Sequence, residues 1–172
     1  MDPRYPIGKL QINDEITKED IVRWISELEA TPELLRKAVE GLTVEQLATP
    51  YRPEGWRVDQ VVHHLADSHL NAYIRVKLAL TEENPLVKVY DEVLWAQLPD
   101  NQLPIEVSLQ LLLATHARLV TLLNSLQDED FKRTINHPDN GIVSVEQLIA
   151  TYAWHGKHHI AHITSLREKM GW

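Results

Sequence analysis

The chain has 172 residues, a formal net charge of -8 and no cysteine. That length suits one domain with a substantial core, and the acidic balance with scattered Lys and Arg disfavours nucleic acid, whose affinity rests on neutralised phosphates. The missing thiols exclude disulfides, cysteine-bound zinc and a cysteine nucleophile, and they suit a reducing cytoplasm.

Residues 1–16 read as an irregular arm containing Pro3, Pro6 and Gly8. This start has no apolar core for a leader peptide. Thr17 is placed as a helix N-cap, with Ile16 and Ile21 as a hydrophobic staple. Ile21, Trp24, Ile25, Leu28, Leu34, Leu35, Ala38 and Val39 then follow at helical spacing. Pro32 interrupts them and predicts a kink or break near Ala30–Thr31. Thr43-Val-Glu-Gln46 is a capping box for a short helix before Pro50. After a turn at Pro53-Glu-Gly55, a long helix is predicted from about Arg57 to Leu80, ending before Asn84-Pro85.

Residues 82–104 hold Pro85, Pro99 and Pro104 and read as a long excursion of the functional kind, or one with short helices of its own. A third long helix is predicted from Ile105 to about Leu126, with His116 on its apolar face. His137-Pro-Asp-Asn-Gly141 is a turn. Ser144-Val-Glu-Gln147 caps the last helix, which runs to about Lys169. No uninterrupted apolar run approaches the ~18 residues of a membrane span, and no strand is evident. The reading is a single all-α domain over 1–172: a four-helix bundle with short accessory helices and a long connection between its second and third long helices. It is expected in the cytoplasm, with neither a membrane nor a nucleic-acid partner.

Nine histidines stand out. Most fall in two groups: His63, His64 and His69, then His155, His158, His159 and His162. On the last helix Leu148, Tyr152, His155, His159, His162 and Leu166 follow one face, so imidazoles occupy positions where a plain bundle carries Leu. Unsatisfied buried imidazoles cost a few kcal/mol. A metal ion removes that cost by taking a lone pair from each. His155 and His159 stand one turn apart, the spacing of helical zinc sites. His64 is the third candidate, on a polar line of Gln60, His64, Ser68 and Asn71 beside the core; His63 falls on a more outward face by the same count. Gly156 follows His155, so the His-Glu-x-x-His signature and its catalytic Glu are missing. Gly156 itself is either a point of close approach or incidental.

The segment Gly55-Trp-Arg-Val-Asp-Gln-Val-Val-His-His-Leu-Ala-Asp-Ser-His69, with Tyr152-Ala-Trp-His-Gly-Lys-His-His-Ile-Ala-His162, resembles the DinB-like superfamily, in particular its YfiT branch. The resemblance spans nearly the whole chain. It implies a four-helix bundle, a homodimer, and one zinc- or nickel-like divalent ion on three histidines. By position those are His64, His155 and His159. Related sequences commonly carry Ser or Thr after the Trp, where Arg57 stands here, and this weakens the helix cap. Members are described as metal-dependent hydrolases, or resemble thiol S-transferases that use bacillithiol or mycothiol.

Three neutral histidines leave an ion its full charge and an open position. Two chemistries follow. A small-molecule thiol bound as thiolate attacks an electrophile, or a bound water is deprotonated and attacks an ester or amide. The resemblance favours the thiol S-transferase, and the thiol is then a cosubstrate. Asp67, one turn after His64, is the one candidate base and a weak one. His116, His158 and His162 are placed as structural or ligand-orienting groups, and Trp56, Tyr152 and Trp154 as core or pocket wall. A non-catalytic, metal-binding dimeric bundle is the competing class, with His162 or Asp67 as a fourth ligand.

Overall fold

The computed structural model describes residues 2–172. Its long helices are α1 (Lys18–Val39), α3 (Val58–Thr81), α5 (Ile105–Leu123) and α6 (Val145–Met170); the short α2 (Val44–Leu47) and α4 (Glu92–Trp95) lie in the connections. Three N-termini are closed as their sequences require. Thr17, Thr43 and Ser144 each accept from the backbone three residues on, and the side chain there returns the bond. At α3 Arg57 has no acceptor to offer. Instead Asp59 accepts from the Gln60 N–H, and the Gln60 side chain accepts from the Arg57 N–H.

The four long helices close into a ring. α1 packs on α5 and α6, and α3 packs on the same two. Helices α1 and α3 therefore lie diagonally opposite, as do α5 and α6. Two of the three long connections cross a diagonal, and only α3 to α5 joins neighbours. That excursion, residues 82–104, is pinned at its start: Val87 donates to the Asn136 carbonyl and Asn136 to that of Pro85. Helix α5 is long and apolar enough to cross a membrane, with mean hydropathy 1.2. In the bundle it buries Leu109, Leu112, Leu119 and Leu123.

Two expectations are corrected. A short antiparallel hairpin pairs β1 (Thr134–His137) with β2 (Gly141–Ser144), where the sequence shows only its turn. Each strand has four residues and only Ile135 is fully buried, too little for an alternating pattern to register. Gly141 sits at φ 70°, the left-handed conformation that closes such a short loop. The second concerns Pro32, where the break, one of the two expected outcomes, does not occur. Helix α1 runs through it without a break. Proline has no N–H, so the Leu28 carbonyl loses its helical partner. His116 of α5 donates to that carbonyl across 2.6 Å. The Thr31 hydroxyl donates to the Glu27 carbonyl at 2.7 Å. The backbone groups around Pro32 are satisfied, so the helix continues.

The apolar core comes in two parts. One gathers Leu28, Val76, Leu119, Ile149 and their neighbours; the other Leu35, Leu65, Leu112, Ile163 and theirs. Between them, in chain order on each helix, lie Thr31 and Pro32, His69, His116, and His155 to His159. A polar layer thus crosses the bundle at mid-height. Gly156 lets α1 close on α6 there: a Cβ would stand 2.9 Å from Thr31 Cγ2 and 3.6 Å from the His69 ring. Ordinarily Gly→Ala inside a helix stabilises by ~1 kcal/mol. Here Gly156→Ala is expected to destabilise by about 1–3 kcal/mol through overpacking. Urea unfolding measures it, and a stabilised variant would contradict the close approach.

Candidate metal centre

His64 projects from α3, and His155 and His159 from the facing side of α6. The structure brings them together: one ring nitrogen of each lies within 4.8 Å of the others. Nε2 of His64 and Nε2 of His155 are 3.2 Å apart. Two nitrogens bound at 2.0–2.1 Å to one tetrahedral ion lie about 3.3 Å apart.

The Nδ1 atom of His155 faces Nε2 of His69 at 3.2 Å, and Nδ1 of His159 faces Nδ1 of His162 at 3.4 Å. With its Nδ1 engaged, His155 turns Nε2 toward His64. The 3.2 Å between these two Nε2 atoms is the separation that two ligands of a single tetrahedral ion have, and His159 joins them within 4.8 Å. The donor set therefore fits a divalent ion of the imidazole-preferring kind.

Burial keeps these rings neutral. It pushes His64 down to about 4 and holds His155 and His159 well below the usual imidazole range, with neighbouring imidazoles adding to the effect. His69 is depressed in the same way. His116 and His162 fall to about 4, again through burial first. Neutral imidazole is the form that binds a metal.

The three histidines open onto a cavity of about 670 Å³. Trp56, expected as pocket wall, lies against His64 with ring centroids 4.6 Å apart. Tyr152 lines the cavity and packs edge-on to His155 at 5.9 Å. His162 stacks on Tyr51 at 4.0 Å and lies 3.3 Å from the Arg4 carbonyl through Nε2. His158 stacks on Trp154 at 4.3 Å, beside the site. His116 lies behind it, on His69. Asp67 is not among the residues that line the cavity. Burial and nearby Asp100 raise its carboxyl to about 6. His63, which the helical count turns outward, is buried and meets the Ser108 hydroxyl at 2.8 Å.

Sequence reasoning passes over three contributors. His69 was legible by the criterion that marks His116, since it continues the stripe of Leu65, Ala72 and Val76. Arg75 is buried and donates to the Tyr152 hydroxyl at 2.9 Å and to the Lys88 carbonyl at 3.0 Å. No sequence pattern marks it. Arg4 enters through its carbonyl, which any residue could offer.

The depressed imidazoles carry a stability consequence. As pH falls below ~6.5 the unfolded chain takes up protons that the folded chain refuses. Stability is then full above that point and falls toward pH 4. The metal-free chain is expected to lose on the order of several kcal/mol between pH 7.5 and pH 5. Urea unfolding at the two values measures it; equal stabilities would mean that the rings are not held neutral.

Comparison with known proteins places this geometry. The model of the DinB superfamily matches residues 27–163. A protein of Oceanobacillus iheyensis named "Putative metal-dependent hydrolase" is 55% identical over 172 residues, 100% of both chains. A protein of Bacillus cereus bearing that name is 54% identical over 171 residues, 99% of each chain. The solved structure of YfiT from Bacillus subtilis is described as "a probable metal-dependent hydrolase with an unusual four-helix bundle topology". It shares 49% identity and a TM-score of 0.96, over 100% of this chain and 99% of that one. On the family match and on these relatives, the chain belongs to the DinB superfamily.

Proposed function

We propose that the chain is a metal-dependent enzyme in which His64, His155 and His159 hold one divalent ion, zinc or nickel, and that it transfers a low-molecular-weight thiol to an electrophile. The observation that carries the metal is the convergence of three neutral imidazoles, buried or half-buried, on one cavity. The names of the relatives support metal dependence. Such an ion, when bound, supplies a Lewis acid that lowers the pKa of a coordinated thiol or water.

The protein's own groups favour the thiol reading over hydrolysis. A hydrolase of this kind needs a base to move a proton, and among the described residues no carboxylate hydrogen-bonds to the three histidines. Asp67 lies outside the cavity wall. A thiol is intrinsically far more acidic than water, so on the ion it would release its proton to solvent without a neighbouring carboxylate. Arg75 bears on the choice of substrate. It lines the cavity, is buried, and among the described residues has no carboxylate within ion-pair distance. A buried guanidinium without an anion is costly, and an acidic group on the substrate answers it. Tyr152 spans the gap, its hydroxyl on Arg75 and its ring against His155. The substrate is then a thiol whose sulfur faces the histidines and whose acidic group faces Arg75, a bacillithiol-like arrangement.

Hydrolysis by an activated water is the second reading, favoured by the names of the relatives. The closed, non-catalytic site has less support: His162 gives its nitrogens to Arg4 and His159, and Asp67 lies elsewhere. A homodimer is part of the proposal. Val107 and Leu111, one turn apart on α5 and partly exposed, support it.

Elemental analysis of dialysed, untagged protein is expected to find about one ion per chain, lost in His64→Ala, His155→Ala and His159→Ala. Full retention in all three variants would refute the site. On the cobalt-loaded protein, 3-mercaptopropionate is expected to shift the visible spectrum and to bind about tenfold more tightly than 3-mercaptopropanol. Arg75→Met is expected to abolish that preference. Turnover of esters, with no thiol conjugated to any electrophile, would move the assignment to hydrolase.

A further inference from the structure

The hydrogen bonds behind His155 have a direction, and it can be derived from one end. A carbonyl only accepts. The Leu28 carbonyl must therefore take a proton from Nδ1 of His116, 2.6 Å away. Neutral His116 then has a bare Nε2, which accepts from Nδ1 of His69 at 2.8 Å. Neutral His69 in turn has a bare Nε2, which accepts from Nδ1 of His155 at 3.2 Å. Neutral His155 is left with a bare Nε2, the atom that faces His64. Every step follows from the one before it, because a neutral imidazole carries one proton and one lone pair. His69 and His116 are both almost wholly buried, so water does not interrupt the series.

The same logic runs more loosely behind His159. The Arg4 carbonyl accepts from Nε2 of His162 at 3.3 Å, and His162 Nδ1 accepts from His159 Nδ1 at 3.4 Å. His159 is also left with a bare Nε2.

We propose that His69, His116 and Pro32 are positioning residues for the metal centre, and that together they fix His155 as the Nδ1–H tautomer. Pro32 belongs to the set because it leaves the Leu28 carbonyl without a helical donor. That carbonyl sets the direction of the whole series. In water an imidazole side chain exchanges freely between its two neutral forms, and the other form places a proton on the ligating atom. The series removes that form and holds the ring in orientation, as outer partners of metal-bound histidines do. The unit is unusual in using imidazoles throughout, with no carboxylate in the series. It adds no negative charge beside the ion, so the ion keeps its full positive charge for a bound ligand.

This inference rests on the metal reading for its purpose but not for its test. The experiment is long-range 1H–15N NMR of the full chain labelled at histidine, without metal and with zinc. His69, His116 and His155 are each expected to carry the proton on Nδ1 in the metal-free chain. His155 is expected to keep it there with zinc bound. A proton on Nε2 of any of the three in the metal-free chain overturns the proposal. If zinc does not bind at all the metal reading fails, and the metal-free spectrum still decides the tautomers.

Two variants follow. His116→Leu leaves His69 free to turn, so His155 is expected to show both tautomers, and zinc affinity by chelator competition is expected to fall about 10- to 100-fold. An unchanged His155 spectrum with unchanged affinity overturns the positioning role. Pro32→Ala supplies a competing N–H to the Leu28 carbonyl. It is expected to move the His116 Nδ1 proton upfield, and an unmoved proton removes Pro32 from the set. The wild-type spectrum needs no variant, so the test stands even for a His116→Leu chain that does not fold.

Discussion

Much of this bundle is arranged around one requirement: a buried, neutral imidazole needs partners for its nitrogens, and the series from the Leu28 carbonyl through His116 and His69 to His155 supplies them. A single such ring is easily accommodated in a core. Here the rings form a layer, and an error at one position passes to the next. The layer divides the apolar core in two, draws α1 close to α6 at Gly156, and sets the wall of the cavity. The apolar parts above and below supply the driving force for folding. The layer between them supplies specificity, because the series from the Leu28 carbonyl to His155 needs α1, α3, α5 and α6 in mutual register.

The connectivity serves the same end. With α1 opposite α3 and α5 opposite α6, the pair that carries the three candidate ligands is α3 and α6, which are neighbours in space but not in sequence. Support for the ligands comes from the other pair. Helix α5 contributes His116, and α1 contributes the carbonyl that Pro32 frees. A site assembled from all four helices cannot form before the bundle closes. The long excursion after α3 adds the polar rim, through the Lys88 carbonyl that receives Arg75.

Much of this was legible in the sequence. The capping boxes at Thr17, Thr43 and Ser144 begin helices as read, and the histidines on the α6 stripe lead to the pair, His155 and His159, that converges with His64. Where the reading went astray, the reason is tertiary. Pro32 is a helix breaker by local rules, and only a ring from α5 makes it harmless. The hairpin is too short for its alternation to show. His63 follows the outward line by count, yet α5 and the connection before it cover that line with Ser108 and Leu103. Arg75 is one arginine among many in a string of letters, and its lack of an anion is visible only when its neighbours are known.

The amino-terminal arm has the composition of a dispensable tail, and its course makes it something else. Its peptide group at Arg4 is the last acceptor behind His159, and Tyr5 approaches the ring of His158 with centroids 6.0 Å apart. An affinity handle fused ahead of this arm is therefore attached a few residues from the catalytic floor. A polyhistidine handle is the worst choice: it carries the same donor atoms as the site, on a tether short enough to compete for the same ion. Chain ends are usually treated as neutral ground for engineering; in this fold the amino-terminal end is part of the wall around the histidines.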